Sequence, residues 1–231
     1  MGYNILSYSF FDILKNKNIG GSSFLVGHSR VLTNKILHKQ MFKDVGWNLL
    51  VTKKEFPFVQ KLFLGDFLTY NHKVEKGLIE STLLKSNKPQ FVYAHFLMPH
   101  KPYLYDSTGT PAPLSSHFNF NKEQESVAYL SYLKYCNNKI IYYTNQIIQN
   151  DPSSIIIVMS DHGRKDYSND ITKPDAPFNN ICFIKSNKKS TSEIKRFGSN
   201  VNFFRYFLNQ NFNQTLPYLK DSSIYLVDVV K

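Results

Sequence analysis

The residues of this chain whose types and spacing best suit chemistry are Asp161 and His162. They stand in the run Ser160-Asp161-His162-Gly163, directly after the apolar segment 154–159. An adjacent Asp-His pair on a tight turn can direct one carboxylate oxygen and one imidazole nitrogen at a divalent cation. We expect Gly163 to relax the backbone of that turn. By itself the pair fits equally well a turn in which the two side chains only cap the next segment.

Two further histidines, His95 and His100, stand at the end of a second apolar segment, 91–98. In open α/β sheets, ligands lie beyond the carboxyl ends of parallel strands. If 91–98 and 154–159 are neighbouring parallel strands, both polar groups emerge at the same edge of the sheet. His95 also fits a second interpretation, a hydrogen-bonded histidine within a strand.

The segment between these two strands predicts a long helix. Asn121 can cap it, Gln124 stands at the capping-box position, and the helical rhythm continues to about residue 150. Residues 90–160 therefore predict strand, loop, helix, strand. Such a βαβ unit has a right-handed crossover in nearly all known cases, and the β-branched run at 154–159 is typical of a central parallel strand.

The rest of the chain continues this alternation and predicts an α/β domain with a mainly parallel sheet flanked by helices. The further predicted elements are a strand within 3–13, helices at about 24–50 and 71–85, a strand at 180–185, a helix from the Ser199 cap to about 209, and an apolar run at 224–230.

The two polar clusters together resemble a known family. The strand that runs into Ser160-Asp161-His162-Gly163 resembles the metal-binding SDHG element of the sulfatase and alkaline-phosphatase superfamily. Residues 91–103 read FVYAHFLMPHKPY and resemble the F-x-H-x-x-x-P-H-x-P-[YF] segment of its bacterial sulfatase-like members. Residues 199–204 and 216–219 also resemble the end of those domains, so the likeness covers roughly 85–222.

The resemblance implies an alkaline-phosphatase-like fold and a metal-dependent hydrolase or transferase of sulfate or phosphate esters. In that family a divalent metal activates a Ser, Thr or formylglycine nucleophile and offsets charge on the ester oxygens. Asp161 and His162 match metal ligands, and the resemblance implies a divalent metal, Mn, Zn or Ca, without fixing which. His100 matches the histidine that contacts the transferred or leaving group, and His95 matches the second histidine of the segment.

The chain departs from the family at its start. Only about 80 residues precede the matching region, and they contain no strand ending in an acidic ligand and no hydroxyl in a recognisable nucleophile context. We therefore expect residues 1–231 to form a single partial sulfatase-like domain, truncated at the N-terminus. Three interpretations stay open: a partial gene product, a split enzyme completed by a second chain, or a non-catalytic binding module that keeps the fold.

Composition narrows the classes of partner. The net charge of +11, from 28 Lys+Arg and 17 Asp+Glu, suits an anionic partner, whether a phosphate or sulfate ester, an acidic membrane surface or nucleic acid, and it also fits an ordinary solvated basic surface. The lysines are scattered and no stacking or groove-reading motif is present, so a nucleic-acid partner is not expected. From the sequence we expect neither a signal peptide nor a membrane-spanning segment, although full-length members of the family that it resembles are often membrane-anchored.

Overall fold

The computed structural model describes residues 2–9, 57–112, 121–164, 176–186 and 200–222, with the backbone alone for 57–63. The chain divides into two compact units, Met1–Asp151 and Pro152–Lys231. Each unit is described by itself below.

The first unit contains a parallel pair of strands covered by a helix. Its elements in chain order are β1 (Asn4–Tyr8), α1 (Pro57–Leu83), β2 (Gln90–Ala94) and α2 (Lys122–Asn150). Strands β1 and β2 pair in parallel from Asn4↔Gln90 to Tyr8↔Ala94. Helix α1 contacts both strands and helix α2. The predicted strand near the start of the chain is confirmed.

Helix α1 approaches β1 closely because a glycine faces the strand. A Cβ atom at Gly77 would lie 2.2 Å from the ring of Tyr8, so no larger residue fits there. Val74 and Tyr70 of the same helix are fully or almost fully buried. The helix therefore presents a flat, closely packed side to the sheet, although it carries no regular apolar stripe.

The core of the first unit combines aromatic rings with aliphatic chains. Tyr103, Leu104, Tyr132, Cys136 and Leu64 form one buried cluster. A buried ring removes a large area from water, and tilted or offset ring pairs add a further stabilisation of about 0.5–1.5 kcal/mol. The loop after β2 is thereby fixed against α1 and α2.

Helix α2 begins and ends where the sequence predicts. Asn121 accepts a hydrogen bond from the backbone N–H of Gln124 at 2.8 Å, and the Gln124 side chain accepts one from the Asn121 N–H at 3.2 Å. At the other end the N–H of Asp151 still bonds to the carbonyl of Ile147 at 2.8 Å. The predicted capping box is confirmed.

The second unit contains an antiparallel pair of strands. Strands β3 and β4 pair from Ile156↔Lys185 to Met159↔Cys182. In chain order the elements are β3 (Ile156–Met159), a short 3-10 helix (Ala176–Phe178), β4 (Cys182–Lys185) and α3 (Phe203–Phe212). The described strands thus form two small sheets, one parallel and one antiparallel. The fold is mixed α/β. The strands predicted at 154–159 and 180–185 are present as Ile156–Met159 and Cys182–Lys185. The predicted parallel pairing of the first of them is not confirmed, because its partner among the described strands, β4, runs antiparallel to it.

Three predicted boundaries differ from the structure. Helix α1 begins at Pro57 rather than near residue 71, because Gly65 and scattered aromatics obscure the helical rhythm of its first half. Strand β2 ends at Ala94 rather than at 98, since its partner ends at Tyr8, and it is not fully buried. Helix α3 has Asn202 at its N-cap, so the predicted Ser199 cap is wrong.

Two predicted segments, the helix at 24–50 and the apolar run at 224–230, lie outside the described residues. Among the helices that the structure does describe, none is long and apolar enough to cross a membrane.

Candidate metal centre

The turn that carries Asp161 and His162 follows β3 directly and is anchored at its first residue. The N–H of Ser160 bonds to the carbonyl of Ile181 at 3.0 Å, and the Ser160 hydroxyl accepts the Ile181 N–H at 3.0 Å. The side-chain amide of Asn200 donates to the Ser160 carbonyl at 3.2 Å. Ser160 is therefore held by the residue before β4 and by the segment before α3.

The turn is anchored at its other end by Gly163. Its N–H bonds to the carbonyl of Pro177 at 2.8 Å. A Cβ atom at this position would lie 2.0 Å from the carbonyl oxygen of Ala176 and 2.6 Å from that of Asn179. Among the described residues Gly163 does not have a positive φ. Glycine is thus needed here because the backbone of Ala176 and Asn179 comes so close. The prediction that Gly163 relaxes the backbone of the turn is wrong.

Between these anchors, the side chains of Asp161 and His162 face each other. Oδ2 of Asp161 lies 3.5 Å from Nε2 of His162. Oδ1 of Asp161 accepts the backbone N–H of His162 at 2.9 Å, which fixes the carboxylate on the side of the ring. The carboxylate is 77% exposed and the ring 36%, so the pair is open to solvent.

The other nitrogen of His162 determines what Nε2 can do. Nδ1 lies 2.7 Å from the carbonyl oxygen of Gly163. A carbonyl oxygen only accepts, so Nδ1 carries the proton and the neutral ring has its lone pair at Nε2. A histidine that ligates a metal usually donates its second N–H in this way, to a carbonyl or a carboxylate. The arrangement suits Nε2 as a ligand.

The separation of the two donor atoms also fits a metal ion. With Zn–N and Zn–O distances of about 2.0–2.1 Å, neighbouring ligands of a tetrahedral site are roughly 3.4 Å apart. Asp161 Oδ2 and His162 Nε2 are 3.5 Å apart. With a proton on Nε2, the same distance would correspond to a weak ion pair between His162 and Asp161. A proton and a metal ion therefore compete for this nitrogen.

Two donors are half of a tetrahedral ligand set. Within the described ranges, no group of three or more His, Cys, Asp or Glu side chains is arranged to hold a metal ion. Asp161 and His162 could therefore supply two ligands of such a site, and further ligands would have to come from elsewhere.

His95 lies in the first unit, one residue after the end of β2. Its N–H donates to the carbonyl of Tyr8 at 2.9 Å, and its own carbonyl accepts the hydroxyl of Tyr70 at 2.7 Å. Nδ1 of its ring lies 3.0 Å from the hydroxyl of Tyr93. The half-buried ring is thus positioned by a tyrosine two residues earlier in the strand.

His100 lies on the exposed loop between β2 and α2. Nδ1 of the ring lies 2.5 Å from the carbonyl oxygen of Lys101, so Nε2 is again the acceptor of the neutral ring. The ammonium of Lys101 lies 2.8 Å from Glu125 Oε1, in the first turn of α2. The hydroxyl of Tyr103 donates to the same oxygen at 3.4 Å. These contacts tie the His100 loop to the start of the helix.

His95 and His100 belong to the first unit, and Asp161 and His162 to the second. That the four side chains form one site stays a prediction. The sequence interpretation missed the residues that hold each part. The Ala176–Phe178 segment and Glu125 gave no signal, and Asn200 was noted only within the 199–204 resemblance, because a support residue is recognisable only once its partner's position is known.

Comparison of the chain with protein-family models, with curated proteins and with solved structures gave no match.

Proposed function

We propose that this chain is a sulfatase-like domain of the alkaline-phosphatase superfamily, in which Asp161 and His162 ligate a divalent cation that binds sulfate or phosphate esters. The observation that carries the proposal is the pair of donor atoms Asp161 Oδ2 and His162 Nε2, 3.5 Å apart on a turn anchored at both ends. A site held in this way is preorganised, which favours metal binding because little entropy is lost.

The cation would supply positive charge to the oxygens of the ester. The hydrogen bond from Nδ1 of His162 to the Gly163 carbonyl keeps the ring in the tautomer whose Nε2 can ligate the cation. His100 offers an exposed Nε2 acceptor that suits a contact with the leaving or transferred group. A nucleophile is part of this chemistry. None is recognisable in this sequence, so we propose that a second chain or segment supplies it.

Binding of inorganic sulfate and phosphate to the chain, with and without Mn²⁺, Zn²⁺ or Ca²⁺, tests the proposal. We expect metal-dependent anion binding that Asp161→Ala abolishes. His72→Ala is the matched control, because His72 is an exposed histidine on α1 in the other unit. Anion binding that is the same without metal, or that Asp161→Ala does not change, would contradict the proposal.

Turnover of aryl sulfate and aryl phosphate esters separates an enzyme from a non-catalytic binding module. We expect little turnover by the chain alone and restored turnover when a second chain supplies the nucleophile. Anion binding without turnover under both conditions would favour the binding module. Rapid turnover by the chain alone, abolished by changing Ser22, Ser23, Ser29 or Thr33, would place the nucleophile in this chain.

A further inference from the structure

The first unit contains a cavity of about 60 Å³ that the proposed metal chemistry does not use. It lies between α1, α2 and the loop after β2. Four tyrosines line it: Tyr105, Tyr132, Tyr135 and Tyr143. Glu75 and His72 of α1 and Lys139 of α2 also line it, so the wall combines aromatic rings with one carboxylate, one imidazole and one ammonium group.

The charges of this tyrosine pocket are already paired. Lys139 Nζ lies 2.5 Å from Glu75 Oε1, and both side chains are about three-quarters buried. Burial raises the pKa of Tyr143, and the nearby Glu75 carboxylate raises it further. The Lys139 ammonium also lies 5.2 Å from the centroid of the Tyr143 ring. Because Glu75 and Lys139 neutralise each other, we do not expect the pocket to bind a charged ligand.

The hydroxyl of Tyr132 is able to form a further hydrogen bond. It is only 1% exposed and lines the pocket, and within the described part of the chain its hydroxyl has no hydrogen-bond partner. Buried tyrosine hydroxyls usually have one, because an unmade bond costs free energy. Burial raises the pKa of Tyr132, and the nearby Cys136, Tyr135 and Tyr105 raise it further. The hydroxyl therefore stays neutral and can both donate and accept.

We propose that the tyrosine pocket holds a hydroxyl-bearing guest, either ordered water or the hydroxyl end of a small alcohol, that bonds to Tyr132. One water needs about 10–15 Å³ of such volume, so the pocket has room for a few waters or a two-carbon alcohol. The inference is independent of the metal centre, because every residue involved belongs to Met1–Asp151.

The melting temperature of Tyr132→Phe in the full chain tests the inference. If a guest satisfies the hydroxyl, the variant loses a hydrogen bond and Tm falls by about 2–4 °C. If the pocket is empty, the change removes an unsatisfied polar group, so Tm rises. A raised or unchanged Tm would overturn the proposal. Tyr142→Phe is the matched control on the same helix, where the exposed hydroxyl is wetted by solvent and no change is expected.

A high-resolution crystal structure of the unchanged chain gives the second measurement, should Tyr132→Phe fail to fold. Density within hydrogen-bond distance of the Tyr132 hydroxyl supports the proposal, and an empty pocket overturns it. A crystal soaked in ethylene glycol distinguishes the two sources. Diol density in the pocket identifies an alcohol site, and unchanged water density identifies water as the guest.

Discussion

Oδ2 of Asp161 and Nε2 of His162 lie 3.5 Å apart, and a separate carbonyl accepts the proton on Nδ1 of the same ring. Two adjacent residues thus hold an oxygen and a nitrogen donor atom close together, and both side chains are open to solvent. The backbone anchors on either side make this arrangement a property of the fold rather than of two freely rotating side chains. Each of the following predictions tests one part of that arrangement or of the framework around it.

Gly163→Ala should displace the turn. The added Cβ would lie 2.0 Å and 2.6 Å from two backbone carbonyl oxygens, neither of which is a flexible side-chain end. Overpacking of this kind costs about 1–3 kcal/mol, so the free energy of unfolding should fall by that amount. Metal binding should weaken in parallel. Urea unfolding and metal titration of the same variant check both effects.

Gly65→Ala is the control for that substitution. Gly65 lies within α1, and a Cβ there would meet nothing within 4 Å. Alanine in a helix interior is favoured over glycine by about 0.5–1 kcal/mol, so this variant should be slightly more stable. Equal destabilisation by both substitutions would contradict the close approach at Gly163.

Two asparagines of the second unit should hold its C-terminal segment. Asn202 exchanges two hydrogen bonds with the backbone of Leu219, each 2.8 Å long. Asn209 does the same with Leu216, at 2.9 and 2.8 Å. We expect Asn202→Ala to raise amide hydrogen exchange at Leu219 and Asn209→Ala to raise it at Leu216. Unchanged hydrogen exchange in both variants would contradict the prediction that these hydrogen bonds hold the segment.

The first unit should lose stability at alkaline pH. Burial raises the pKa of Cys136 to about 12, and burial with the nearby Tyr105, Glu75 and Cys136 raises that of Tyr135 to about 12. Both groups are neutral when protonated, so the unfolded chain releases its protons first, near pH 9 and pH 10. The contribution to stability is complete below pH 9 and is lost as pH rises toward 12.

Urea unfolding at pH 8, 9, 10 and 11 measures this loss. Tyr135→Phe removes one of the two groups, so its free energy of unfolding should fall less steeply between pH 10 and pH 11. A curve for the unchanged chain that is flat from pH 8 to pH 11 would contradict the burial of these groups.

Some of this structure follows from local patterns in the sequence. Asn121 and Gln124 predict the start of α2 because a capping box needs only residues three positions apart. The β-branched run before Ser160 likewise predicts β3. The direction of its partner does not follow, because an apolar run is compatible with parallel or antiparallel pairing, and β4 pairs antiparallel.

The candidate site also has some features that the sequence predicts and others that it does not. Asp161 and His162 stand out by residue type, and their role as a ligand pair stays a prediction. The reason for Gly163 does not stand out, because it depends on backbone that returns more than ten residues later in the chain. The tyrosine pocket was missed as well, since tyrosines on a helix resemble any amphipathic surface until α1 covers them.

Calorimetric titration of Zn²⁺ into the unchanged chain, Asp161→Ala and His162→Ala tests the central claim most directly. Two ligands should give a dissociation constant weaker than about 1 µM, because catalytic zinc sites have three protein ligands. Even outer-shell changes weaken metal affinity about 10–100-fold, so each substitution should cost at least about tenfold. His72→Ala should leave the affinity unchanged. Sub-micromolar binding that survives Asp161→Ala would contradict the account, because it would place the metal on other residues.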